Sequence, residues 1–150
     1  MSLLNVFDVS GSGMAAQTLR LNTTASNIAN AESVAENPED TYRARYPVFQ
    51  ATLSDQVGMM QRGQKDPLNP DALTPGTVTV PGVVESDKPL SLRYQPEHPY
   101  ANDDGYVAYP NVSVVEEMAN MISASRSFQI NVEVMNTAKS LAERVLSLGQ

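Results

Sequence analysis

Residues 26–33 read SNIANAES, with Asn27 and Asn30 flanking a single isoleucine. Three roles fit paired amides there: an active site, a helix stop, or a joint between subunits. The first needs companions, and the chain supplies few. His98 is the only histidine and there is no cysteine, so no zinc set can be completed. In QPEHPY it sits between prolines, as a surface turn residue does. Asp103, Asp104 and Gly105 lack the alternating acidic spacing and distant glutamate of a calcium loop, so NDDG reads as a tight turn. The GSG at 11–13 is followed by no lysine and preceded by no strand, which removes the phosphate-loop reading. Ser10 and Ser12 have no histidine at motif spacing to act as base. Glu36, Glu39 and Asp40 form a solvated acidic stretch without a pocket. Neither catalysis nor a cofactor or metal is supported.

The elements that carry these residues are unevenly built. All ten prolines lie between Pro38 and Pro110, so the chain divides into 1–30, 31–110 and 111–150. Acids and bases number one and one in the first part, twelve and six in the second, four and three in the third, which sums to the net charge of −7. An acidic middle with nearly neutral ends excludes a nucleic-acid footprint, which needs clustered Lys and Arg. Neutral ends can pack against copies of themselves without like-charge repulsion. No apolar run approaches a membrane span, and MSLLNVFDVSGSG lacks the basic and apolar regions of a cleaved signal.

Phe7, Met14, Leu21 and Ile28 recur every seven residues, with Gly11, Thr18 and Ala25 four residues after the first three. That spacing predicts a helix with a narrow apolar stripe and small neighbours, suited to close approach by another helix. Gly11 and Gly13 make it marginal, each costing about 1 kcal/mol against alanine. The last forty residues carry a longer seam of Val114, Met118, Met121, Ser125, Phe128, Val132, Met135, Lys139, Ala142 and Leu146. From about residue 112 to 148 it predicts a helix of roughly 55 Å, a coiled coil or a helix shared between subunits, ended by Gly149. Ser113 and Glu116 are spaced as a capping box at its start. The methionines of the seam read as adaptable packing rather than metal ligands.

Between the helices, PVFQATL, GTVTVPGVVES and PLSLRY read as short strands separated by Pro and Gly turns, with Pro81 marking an edge strand or a bulge. Residues 54–76 read as a mobile polar loop. The expected fold is therefore α+β: long N- and C-terminal helices forming a coiled-coil core, with a small antiparallel β domain inserted between them.

With these elements in place, the chain resembles the bacterial flagellar axial proteins, and within them the proximal rod type. The resemblance rests on SGMAAQTLRLNTTASNIANAES, TYRARYPVFQ, GYVAYPNVSVVEEMANMISASRSFQINVEVMNTAKS and the ending LSLGQ, about half the chain. ASNIAN is similar across the axial group; NVSVVEEM followed by SASRSFQ resembles the proximal rod. Phe128 stands where tyrosine is common, and residues 54–80 match poorly. The resemblance implies a non-enzymatic subunit of the helical rod that transmits motor torque. It further implies partners among other rod subunits and copies of itself, and export by the flagellar type III apparatus without a cleaved signal. Its place would be the basal body in the periplasmic space. The expected subunit interface comprises Phe7, Met14, Leu21, Asn27, Ile28 and Asn30 on the first helix. On the second it comprises Val114, Met118, Met121, Phe128, Val132, Met135, Ala142 and Leu146. Within this reading Ile28 closes the apolar stripe, Asn30 leaves the helix in a left-handed conformation, and Asn27 bonds either its own chain or a neighbour.

Overall fold

A computed structural model describes residues 3–52 and 76–148. The element order is α1 (Leu3–Ala29), a 3₁₀ turn (Pro38–Asp40), β1 (Arg45–Thr52), β2 (Thr77–Glu85), β3 (Ser91–Tyr94), β4 (Tyr106–Tyr109) and α2 (Val114–Leu148). It is an α+β chain with two two-stranded sheets, β1–β2 and β3–β4. The strands β1, β2 and β3 fall on the three segments expected. The fourth, YVAY, is an addition to those three. The expected loop at 54–76, apart from Gly76, and the helix end at Gly149 lie outside the described residues.

The chain forms two compact units, one from Met1–Thr18, Phe49–Pro81 and Arg126–Gln150, the other from Leu19–Val48 and Gly82–Ser125. In the first, α1 stays helical through a serine-rich, glycine-interrupted sequence. Its hydroxyls are absorbed locally, Ser12 Oγ donating to the Val9 carbonyl at 3.0 Å and Thr18 Oγ1 to the Met14 carbonyl at 2.9 Å. Gly13 allows a close approach: a Cβ there would lie 3.0 Å from Asn131 Nδ2 on α2, so that side chain would have to shift by a few tenths of an ångström. Among the described residues of this unit, Ser10, Ala16 and Ala138 are buried. Ser12 Oγ also accepts the Val78 N–H at 3.2 Å, tying β2 to the helix. The Thr52 and Thr79 hydroxyls meet at 3.0 Å across β1 and β2.

In the second unit β1 and β2 run antiparallel, since Ala44 O accepts the Ser86 N–H at 2.8 Å while Arg45 meets Glu85 at 2.9 Å. Both strands are edges, which is how β2 accommodates Pro81. The β3–β4 pair is antiparallel with Ser91 opposite Tyr109 and Tyr94 opposite Tyr106. Its connection ends in the NDDG turn: Asn102 Oδ1 accepts the N–H groups of Asp104 and Tyr106, and Gly105 takes φ +81°. β4 is the inner strand, with Val107, Ala108 and Tyr109 buried, whereas all of β3 is exposed. Ser113 Oγ accepts the Glu116 N–H at 3.4 Å and Ser113 O accepts the Glu117 N–H at 2.9 Å, so Ser113 caps α2 as its spacing indicated.

The core is small-residue and polar. Among the described residues the largest fully buried side chains are Glu117, Val107, Asn27 and Pro110. Two of those four are polar and therefore need hydrogen-bond partners inside the chain.

Candidate assembly interface

Asn27 lies near the end of α1, where Arg45, the first residue of β1, returns to the helix. Its Oδ1 accepts the Arg45 N–H at 2.9 Å and the Tyr42 hydroxyl at 2.8 Å. Its Nδ2 donates to the Arg45 carbonyl at 2.9 Å and to Glu117 Oε2 on α2 at 3.2 Å. Two donors and two acceptor sites are thus all used, and the residue is 0% exposed. Glu117, 1% exposed, has no Lys or Arg beside it among the described ion pairs. Burial, followed by the field of this carboxylate, raises the Tyr46 hydroxyl above the ordinary tyrosine range. One turn further along α2, Asn120 Oδ1 accepts from Arg20 at 3.0 Å. Residue numbers rise on α1 as they fall on α2 through these pairs, so the helices run antiparallel here.

Asn30 does not leave the helix through a left-handed conformation: no described non-glycine residue has positive φ. Instead its backbone N–H and its Nδ2 both bond the Ser26 carbonyl, at 3.1 and 2.8 Å, closing the last turn from outside. A second amide joint went unread in the sequence. Asn111 accepts the Ala44 N–H at 2.8 Å and donates to the Ser86 and Lys88 carbonyls at 3.3 and 2.7 Å. Its signal was its place between a proline and a capped helix, where backbone groups of converging strands need a partner. Arg93 grips Glu32 with two hydrogen bonds of 2.8 and 3.1 Å and lies 4.1 Å over the Tyr109 ring. The Arg93 hydrogen bonds hold the Glu32 carboxyl below its usual pKa. His98 is a turn residue, its Nδ1 accepting the Tyr100 N–H at 3.1 Å.

The remaining expected interface residues surround this polar joint without joining it. Phe7, Met14, Leu21 and Ile28 are all partly exposed, one position on from Val6, Gly13, Arg20 and Asn27. Met121, Phe128, Val132, Met135 and Ala142 are likewise only partly covered, whereas Val114, Met118 and Leu146 are exposed. The most buried line on α2 is Glu117, Ala124 and Ala138, with Asn131 against Gly13. Within the chain, then, small and polar side chains meet, because they let the backbones approach closely, and the apolar seven-residue repeat is left at the flank. Further around α2, Val115 is 78% and Ile122 69% exposed. In the first unit an open hollow of about 380 Å³ is lined by Val6, Ile130, Val134, Ala138 and Leu141, with Glu133 and Thr137 at its rim.

Large apolar side chains left exposed beside a hydrogen-bonded polar joint are a surface of the kind that marks an interaction site. A family model described as "Flagella basal body rod protein" matches residues 7–34, and one described as "Flagellar basal body rod FlgEFG protein C-terminal" matches residues 103–148. The flagellar basal-body rod protein FlgC of Salmonella typhimurium is 47% identical over 150 residues, covering 100% of both chains. That of Yersinia enterocolitica is also 47% identical over the same extent. The FlgC of Borreliella burgdorferi is 34% identical over 157 residues, covering 100% of this chain and 99% of its own. At that identity and coverage, the chain belongs to the FlgC family of flagellar basal-body rod proteins.

Proposed function

We propose that this chain, a structural subunit of the flagellar basal-body rod and not an enzyme, polymerises with copies of itself and other rod subunits into the proximal part of the drive shaft. In this reading residues 1–30 and 111–150 form the axial core by coiled-coil contacts between subunits, and 31–110 faces outward. The carrying observation is the apolar repeat left at the flank of the helix pair, together with exposed Val115, Met118 and Ile122. Buried apolar surface contributes about 25 cal/mol per Å², so covering these side chains by neighbours favours assembly. The nearly neutral charge of both terminal segments supports repeated packing. No helix among the described residues is long and apolar enough to cross a membrane. Export through the flagellar type III apparatus, without a cleaved signal, and a periplasmic position complete the proposal.

Phe128→Asp tests it. A charge at this partly covered flank stays hydrated in the monomer but is desolvated when a neighbour packs on it. The variant is expected to fold with an unchanged circular dichroism spectrum and to leave cells non-motile and without rods. Normal basal bodies containing the variant would contradict the interface.

A further inference from the structure

Hydrophobicity alone does not explain which faces of α1 and α2 meet. Each helix carries an apolar seven-residue repeat, Phe7, Met14, Leu21 and Ile28 on one and Met121, Phe128 and Met135 on the other. Pairing those stripes with each other would bury more apolar surface than the contact observed, which uses Gly13 against Asn131, Arg20 against Asn120 and Asn27 against Glu117. A buried carboxylate with no cation beside it among the described residues is an expensive way to join two helices, and apolar replacements of buried polar pairs are often neutral or stabilising. The best-attested use of such a pair is to select one arrangement out of several, as a buried asparagine does in a coiled coil.

We infer that the Asn27–Glu117 pair is a face-selecting lock, holding the polar faces of α1 and α2 together so that the apolar repeats stay out of the intrachain contact. The arrangement has the required uniqueness. Asn27 is already anchored by both backbone groups of Arg45 and by Tyr42, so its remaining N–H has one direction to point. Glu117 receives it only when that face of α2 is presented. If α2 slips by one heptad, Asn27 comes opposite Ala124 or Pro110, neither of which has a side-chain acceptor. If α1 turns by one residue, about 100°, the apolar stripe enters the contact while the Asn27–Glu117 hydrogen bond is lost and the Glu117 carboxylate gives up its Asn27 donor. Asn27 and Glu117 are thus positioning residues: they stabilise little for their cost, but they decide which surface is left for neighbours.

The absence of cysteine allows a direct test, since engineered pairs are the only thiols. Gly13→Cys with Asn131→Cys reports the observed face, because a Cβ at Gly13 lies 3.3 Å from Asn131 Cγ. Met14→Cys with Phe128→Cys reports the apolar stripes turned together. In the otherwise unchanged chain the first pair is expected to form an intrachain disulfide at least about tenfold faster than the second. In an Asn27→Leu/Glu117→Leu background the preference is expected to vanish or reverse, with a helical circular dichroism spectrum retained. Glu117→Gln, which keeps an acceptor of the same shape, is expected to retain the preference within about twofold. The proposal is overturned if the double-leucine chain keeps the tenfold preference, or if it loses helix while Glu117→Gln loses the preference as well. These arms need no rods. Only the accompanying loss of motility in the double-leucine strain rests on the subunit reading, so the two can fail separately.

Discussion

At the scale of the residue, the chain's amides are structural ties. Asn27→Ala removes four hydrogen bonds and leaves the Tyr42 hydroxyl and Glu117 short of a partner, so it is expected to cost about 3 kcal/mol of stability, read as a lower urea midpoint. Tyr46 gives a pH signature. Its pKa is raised in the folded chain by burial and by Glu117, so the folded state holds this proton more tightly than the unfolded state does. The stability linked to it is complete below the unfolded value of about 10 and declines as pH rises past that value toward the higher folded one. Unfolding curves taken from about pH 9 to about pH 11 should show this decline, and Tyr46→Phe should flatten it. A steeper decline in the phenylalanine variant would contradict the assignment. The sequence drew attention to Asn27 but not to its partners. Tyr42, Arg45 and Glu117 stand 15, 18 and 90 residues away in sequence, and no local period connects them.

At the scale of the element, both helices were legible because their residue types recur at helical spacing and the prolines avoid them. Which side of each helix faces inward was not legible. The apolar repeat marks the strongest pattern, yet the intrachain contact follows glycine, alanine, asparagine and glutamate, whose use depends on how closely two backbones approach. The β segments were read from their β-branched residues, but β4 was missed, since YVAY between a turn and a proline is too short to show alternation. Its hairpin offers a test. Gly105 has φ +81°, and a Cβ there would lie 2.9 Å from the Tyr94 ring and 3.3 Å from Pro96. Gly105→Ala is expected to cost about 2 kcal/mol and to raise amide exchange in Tyr106–Tyr109 above that of α2. Unchanged exchange in the hairpin would count against the strained turn.

At the scale of the whole molecule, amide joints such as Asn27–Glu117 are made within the chain while large apolar side chains such as Val115 and Ile122 stay exposed, the surface the proposed packing would cover. Family membership fixes the assembly as the flagellar basal-body rod, and the Phe128→Asp strain tests whether the flank of the helix pair is used there. The most direct measurement is solvent access to α2 before and after assembly. Ile122, 69% exposed in the isolated chain, can be replaced by the chain's sole cysteine and labelled with a maleimide, first in purified monomer and then in purified basal bodies. Covering of the apolar face predicts rapid labelling of the monomer and at least about tenfold slower labelling in the rod, where the thiol is shielded. Equal labelling in both states would show that the face stays open to water, contradicting assembly through it.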